Sequence, residues 1–150
     1  MNNNKNINKD KTYKCQEKYI TKENTLIILD WDDTLFPTTW AVRNGINLTD
    51  TDFNKKFNLY FSQLDNILYQ LLYILMQHGK IIIITNALPV WVKTSSSLLP
   101  KTHALILDLD VLSARKNYKN YSDNMMDWKK MAFKNVVSKM CSGKILNIIS

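Results

Sequence analysis

Three carboxylates stand close together at Asp30, Asp32 and Asp33, directly after the short apolar run Thr25–Leu29. Like charges at the end of a buried segment are electrostatically costly unless a cation or a proton offsets them. Mg²⁺ supplies such a cation, because it prefers hard oxygen ligands. One carboxylate can also attack phosphorus while a second handles the proton of the leaving group. The alternative is an acidic helix N-cap, but the preceding apolar run favours a chemical role.

Apolar runs predict the strands that position these acids. Thr25–Leu29 and Lys80–Ile84 are typical of strands buried on both faces. We expect a third strand to begin within Ala104–Leu107 and a fourth to span Lys144–Ile149. In an open parallel sheet, ligands gather beyond the C-terminal ends of the strands. The residues after each strand are therefore the candidates for a site.

Apolar residues at helical spacing predict three helices between these strands. They span residues 52–77, with Gly79 at the C-cap, residues 89–100, and residues 128–141. Strand and helix alternate throughout, which predicts the α/β class with a doubly wound, Rossmann-like parallel sheet.

Composition and length predict one domain of 150 residues. We expect a disordered polar tail over residues 1–24 and a core domain over residues 25–150. No apolar run approaches the roughly 20 residues that cross a bilayer, and Cys15 and Cys141 lack metal-ligand spacing, which favours a cytoplasmic protein with reduced thiols. The net charge of +7 is concentrated in residues 115–150, which we interpret as a solvated surface rather than a nucleic-acid site, because no binding motif accompanies it.

The run ILDWDDTLF resembles the first motif of the haloacid dehalogenase (HAD) superfamily, an apolar strand followed by Asp-x-Asp-x-Thr. The resemblance implies that Asp30 is the nucleophile that becomes an aspartyl-phosphate and that Asp32 is the general acid/base. It also implies that Thr34 steadies the loop at the phosphate, and that Mg²⁺ is the cofactor, with Asp30 and Asp32 as its ligands. Asp33 occupies a variable position, so we assign it no catalytic step.

Two further motifs follow from the same resemblance. Thr85, after IIII, would hold a phosphoryl oxygen with Asn86 nearby, although β-propensity alone also places Thr after Ile. The motif lysine that neutralises the phosphoryl group is Lys129 or Lys130. We prefer Lys129, which follows Trp128 at the expected helix start; the alternative is that both lysines are merely solvated.

Two further features could belong to a site: Arg115, and a second acidic pair at Asp108 and Asp110. Arg115, in LSAR, could approach the same edge of the sheet and bind substrate. Asp108 and Asp110 lack a following threonine, since Leu112 stands in its place, so we interpret them as a polar strand end. The segments DWDDTLFPTTW, ITNALPVWV, LSAR and WKKMAF, in this order, are similar to a group of uncharacterised HAD-like proteins of single-celled eukaryotes, a resemblance that covers residues 26–150.

In that family, acids after the fourth strand complete the Mg²⁺ site. The sequence ends at Ser150, so we expect a truncated core that binds Mg²⁺ weakly and turns over slowly. A full cap domain fits neither between the first and second motifs nor between the second motif and the motif lysine. The first of these intervals has room for a short flap over Pro37–Asp50, with Trp40 over the site. By family resemblance, such a capless site suits a phosphoprotein, with small phosphate esters as the alternative.

Together these features predict a Mg²⁺-dependent phosphomonoester hydrolase that acts through an aspartyl-phosphate. A different class remains open: a catalytically silent HAD-like binding or scaffold module without a complete metal site. Acids just beyond residue 150 would support the enzyme, and their absence the silent module. Nucleic-acid binding through the basic C-terminal third is the weakest hypothesis.

Overall fold

The computed structural model describes residues 21–48, 55–140 and 147–150. The strands in these residues are β1 (Thr25–Leu29), β2 (Lys80–Thr85), β3 (Asp110–Ser113) and β4 (Asn147–Ile149). The helices are α1 (Thr38–Arg43), α2 (Asn58–His78), α3 (Pro89–Ser96), α4 (Pro100–Ile106), α5 (Ala114–Tyr118) and α6 (Met125–Met140). Short 3-10 turns occupy Lys22–Asn24 and Lys55–Phe57.

The four strands form one sheet in the order β3-β2-β1-β4, and every neighbouring pair is parallel. Parallel strands need crossover connections, and helices occupy the interval between each pair of consecutive strands. The predicted α/β class with a parallel sheet is therefore confirmed. The C-terminal ends of β1 and β2 lie side by side, because Leu29 pairs with Ile83.

Alternate residues of the central strands point into two separate cores, as the twofold period of a strand requires. On one face, Ile27 and Ile83 join buried residues of α2, α3 and α4. On the other face, Leu26 and Ile84 join buried residues of α5 and α6. The core under α2 also encloses the fully buried rings of the loop after β1, whereas the core under α6 is smaller.

The prediction of a third strand beginning within Ala104–Leu107 is wrong. These residues lie in α4 and the turn that follows it, and the third strand is Asp110–Ser113. The buried Asp65 carboxylate of α2 explains the helix, because it accepts hydrogen bonds from the backbone N–H groups of Lys101 and Thr102 at 3.0 and 2.8 Å. A carboxylate at the free N–H groups of a first turn stabilises a helix start.

The acidic pair of this region consequently stands at the start of a strand and not, as predicted, after one. Asp110 is the first residue of β3, and its carboxylate pairs with Lys80 Nζ at 2.8 Å, at the start of β2. Asp108 lies in the turn before β3. Both acids therefore stand at the edge of the sheet opposite to Asp30.

Several predicted boundaries differ from those observed. Pro100 begins α4 instead of closing α3, and α6 begins at Met125 rather than at Trp128. The end of the predicted tail, Lys22–Asn24, forms a turn against β1. Several predicted segments lie outside the described residues. They are residues 1–20 of that tail, the start of the predicted 52–77 helix, the end of the flap at residues 49–50, and residues 141–146 with their predicted helix end and strand start. Both cysteines also lie outside the described residues.

Gly79 ends α2 as predicted, but its own conformation is extended and imposes no need for glycine. A Cβ at this position would lie 2.7 Å from the carbonyl oxygen of Thr25 in the neighbouring strand. The close approach of β1 therefore requires glycine here.

Candidate active site

A tight loop follows β1 and carries the three acids. The carbonyl oxygen of Trp31 accepts hydrogen bonds from the backbone N–H groups of Leu35 and Phe36, at 3.0 and 2.9 Å. Trp31 and Phe36 are fully buried and their rings stack in parallel, with centroids 5.8 Å apart. This packing anchors the loop at Trp31 and Phe36, and Asp32 and Asp33 lie between these two residues in the sequence.

Asp30 is the first residue after β1, and its side chain is about one third exposed. Its Oδ1 accepts a hydrogen bond from the backbone N–H of Trp31 at 2.9 Å. Its Oδ2 forms an ion pair with Lys129 Nζ at 2.7 Å and is 3.3 Å from the hydroxyl of Thr34. Lys129 thus contacts Asp30, whereas Lys130 is exposed on α6.

Asp32 is held by three side chains from different elements. Its Oδ1 accepts hydrogen bonds from the hydroxyl of Thr38 at 2.7 Å and from the indole N–H of Trp91 at 2.8 Å. Its Oδ2 accepts a hydrogen bond from the hydroxyl of Thr85 at 2.9 Å. The loop after β1, α1, α3 and the end of β2 therefore meet at this one carboxylate.

Thr85 and Asn86 lie beside the acids, as the sheet register requires. The fully buried Thr85 hydroxyl donates to Asp32 and accepts from the backbone N–H of Ala87 at 2.9 Å, so it serves the carboxylate where we expected it to hold phosphate. Asn86 Nδ2 lies 3.4 Å from the carbonyl oxygen of Met125. The buried Oδ1 of Asn86 has no hydrogen-bond partner in the described part of the chain, which leaves an acceptor next to the site.

Asp33 has a structural role. Its backbone has a positive φ of 55°, and its carboxylate accepts hydrogen bonds from the backbone N–H and the hydroxyl of Thr39, at 2.7 and 2.6 Å. The side-chain hydrogen bond from Thr39, then its backbone hydrogen bond and the charge of Arg43, lower the pKa of this exposed carboxyl despite a small opposing effect of burial. Asp33 thus caps the first turn of α1.

Neither Trp40 nor Arg115 is a partner of Asp30 or Asp32, although both were expected near the site. Trp40 stacks on Tyr60 of α2, with ring centroids 4.5 Å apart, and packs edge-on against Phe61. It therefore packs on α2, not over the acids. Arg115 is exposed in α5, and the partners of Asp30 and Asp32 do not include it.

A cavity of about 270 Å³ opens beside Asp30. Its polar lining includes Thr34, Lys129 and Ser150, and its apolar lining comes from Ile28, Leu29, Ile84 and Phe133. A substrate phosphate in this cavity could reach the Asp30 carboxylate and the Lys129 ammonium together. The other large cavities of the described residues lie away from both carboxylates.

Metal binding has limited support from the side chains. Within residues 21–48, 55–140 and 147–150, no three acidic, histidine or cysteine side chains group into a metal site. Mg²⁺ is often held by one or two carboxylates together with substrate phosphate and water. Asp30 can offer one carboxylate, but protein donors already surround Asp32. The described side chains therefore do not form a metal centre by themselves.

Sequence reasoning missed Trp91 and Thr38 as residues of the site. Trp91 falls within the helix predicted over residues 89–100, and Thr38 falls within the predicted flap over Pro37–Asp50. A tryptophan carries one N–H donor that must find a partner when it is buried, and four tryptophans in 150 residues were a usable signal. Which acceptor each indole takes depends on the tertiary fold.

Among the described residues, no helix combines the length and hydropathy that crossing a bilayer requires. The chain matches no model of a known protein family, no curated protein and no solved structure in the three comparisons made.

Proposed function

We propose that this chain is a HAD-like phosphomonoester hydrolase core that acts through an aspartyl-phosphate. The observation that carries the proposal is the Asp30–Lys129 ion pair of 2.7 Å at the C-terminal end of β1, beside an open cavity. A carboxylate at a strand end can act as a nucleophile, and a lysine beside it can neutralise the charge of an incoming phosphoryl group.

The reaction has two steps, each with a role for both acids. A carboxylate oxygen of Asp30 attacks phosphorus, the bond from phosphorus to the ester oxygen breaks, and Asp32, which begins as the carboxylic acid, protonates the departing alkoxide. Water then attacks the phosphorus of the aspartyl-phosphate, the bond from phosphorus to the Asp30 oxygen breaks, and the Asp32 carboxylate accepts a proton from that water. Inorganic phosphate leaves, Asp30 is again a carboxylate and Asp32 is again a carboxylic acid.

The remaining parts of the proposal come from the family resemblance. Asp30 would hold Mg²⁺, which would supply positive charge to offset the phosphoryl oxygens, and the steps above do not pass through it. Thr34 and Asn86 would line the phosphate site, and Thr85 would act there through Asp32. A capless core in the cytoplasm would act on a phosphorylated protein, and small phosphate esters serve as test substrates.

The test is a phosphatase assay of the chain with para-nitrophenyl phosphate, with and without Mg²⁺. We expect Asp30→Asn to lower kcat by on the order of 10³-fold or more, because the amide is a poor nucleophile. Asp33→Asn is the matched control: it makes the same change in the same loop and should alter kcat less than about threefold, since Asn tolerates a positive φ.

Two outcomes would contradict the proposal. Equal activity in wild type and Asp30→Asn would exclude Asp30 as the nucleophile. Absence of activity in the wild type, across alkyl and aryl phosphates and phosphopeptides with Mg²⁺ present, would exclude the enzyme. Mass spectrometry of acid-quenched protein should show one added phosphoryl group in wild type and none in Asp30→Asn.

A second candidate function, a catalytically silent binding module, has one observation in its favour. The Asp32 carboxylate accepts hydrogen bonds from Thr38, Trp91 and Thr85. A hydrogen-bond network of this kind can serve only to stabilise the loop. Such a module would bind phosphopeptides or inorganic phosphate through Lys129 without hydrolysing them. Binding without turnover in the assay above would favour it.

A further inference from the structure

The two oxygens of the Asp32 carboxylate differ in how many hydrogen bonds they accept. From donors in residues 21–48, 55–140 and 147–150, Oδ1 accepts two hydrogen bonds, from Thr38 and Trp91, and Oδ2 accepts one, from Thr85. Each carboxylate oxygen has two lone pairs available for hydrogen bonds. Oδ1 is therefore saturated, and Oδ2 retains one position for a proton.

The ring of Trp91 packs against Phe36, and its backbone is hydrogen-bonded to Ser95. Its ring packs edge-on against the buried ring of Phe36, with centroids 6.3 Å apart and planes at 84°. The backbone carbonyl oxygen of Trp91 accepts a hydrogen bond of 2.7 Å from the hydroxyl of Ser95. The same hydroxyl accepts a hydrogen bond of 2.9 Å from the indole N–H of Trp31. The donor that meets Asp32 is thus connected to the loop after β1 through the core.

We propose that Trp91 is a positioning residue for the general acid/base of this site. Together with Thr38 it holds Oδ1 of Asp32, so that the proton is exchanged at Oδ2. In the first step the proton passes from Oδ2 to the departing oxygen, and in the second it passes from the attacking water to Oδ2, while Thr85 keeps its bond to the same atom. This role rests on the proposed function.

The test compares two esters that differ in their need for a proton. An alkyl phosphate has a basic leaving oxygen that must be protonated, whereas para-nitrophenolate leaves without help. For Trp91→Phe, we expect kcat/KM to fall about tenfold or more on the alkyl ester and less than about threefold on the para-nitrophenyl ester. The parameter kcat/KM is chosen because it excludes the later hydrolysis of the aspartyl-phosphate.

Two further variants make the result decisive. Trp40→Phe is the matched control, because that indole stacks on Tyr60 and does not contact Asp32. It should change kcat/KM by the same factor on both esters, and by less than about twofold. Thr38→Val removes the other Oδ1 donor from a different helix and should reproduce the selective loss. It decides the question if Trp91→Phe fails to fold, as judged by circular dichroism and thermal unfolding.

The outcomes separate the two proposals. An equal loss on both esters, or no loss, in a wild type whose activity depends on Asp30 overturns the role of Trp91 and leaves the proposed function intact. A wild type without Asp30-dependent activity overturns the proposed function and this role with it. A selective loss on the alkyl ester in both Trp91→Phe and Thr38→Val supports the role.

Discussion

The surroundings of Asp30 and Asp32 differ although the two residues are nearly adjacent. Asp30 meets a charged partner, Lys129, and faces a cavity. Asp32 meets three uncharged donors, two at Oδ1 and one at Oδ2. An ion pair beside open space is suited to exchange its partner for a substrate, whereas a carboxylate enclosed by directional donors is suited to keep one orientation.

The two faces of the sheet account for this difference. Lys129 comes from α6, which packs on the face with the smaller core. Thr38 and Trp91 come from α1 and α3, on the face whose core holds Trp31 and Phe36. Each layer of helices therefore supplies partners to one carboxylate, and the layer with the larger core supplies those of Asp32.

The largest expected effect is on stability. The experiment makes the same substitution, Phe→Ala, once in each of the two cores. Phe36→Ala should lower the free energy of unfolding by about 3–5 kcal/mol, because the ring is fully buried against Trp31 and Trp91. Phe133→Ala should cost about 1–2 kcal/mol, because that ring is half-buried beside the cavity. Chemical denaturation of both variants measures the two values; equal losses would contradict the proposed difference in packing.

The next effect is on rate and isolates the charged partner of Asp30. Lys129→Met should lower kcat by on the order of 10²-fold, because it removes the cation that would offset the phosphoryl oxygens. Lys130→Met is the control, since it removes an equal charge from an exposed position on the same helix turn. A similar loss in both variants would assign the effect to net charge rather than to the ion pair.

The smallest effect concerns Asp33, the acid with a capping role. The hydrogen bonds of Thr39 hold its pKa below the ordinary value of 3.8. Because the pKa is lower in the folded than in the unfolded chain, the ionised carboxylate stabilises the fold above about pH 4, and this contribution disappears as the pH falls through the folded pKa. Asp33→Asn should therefore be less stable than wild type at neutral pH, and the difference should shrink in acid.

Thermal unfolding of both proteins between about pH 7 and pH 3 measures that difference. A difference that stays constant over this range would show that the Asp33 charge does not contribute. Asp33→Asn keeps the positive φ of this position accessible, so the comparison isolates the charge.

Local sequence was sufficient where one segment determines its own structure. The isoleucine run of β2 and the apolar spacing of α2 predicted a buried strand and a long helix, and both are present. It was insufficient for residues 104–107, where the apolar letters suit a strand and a helix equally well. The decisive contact there is the cap from Asp65, which lies far away in sequence and can be recognised only in the fold.

The residues of the site likewise fall into those that the sequence predicts and those that it does not. Asp30, Asp32 and Thr85 could be placed together, because they follow neighbouring strands of a predictable sheet, and Lys129 followed from the resemblance. Trp91 and Thr38 could not be identified as partners of Asp32, because their donors reach it from two helices whose packing the sequence does not reveal. Spacing along a chain predicts which groups share an edge but not which donor meets which acceptor.

The pairing of Thr25 with Asn147 has a consequence for how the chain assembles. Strands β1 to β3 pair with strands that follow after one crossover, whereas the pairing of β4 with β1 closes a loop of nearly the whole chain between them. The entropic cost of closing a loop rises with its length and must be met before its contacts form. We therefore expect β4 to pair last during folding and to open first during unfolding, independently of the core that positions Asp32.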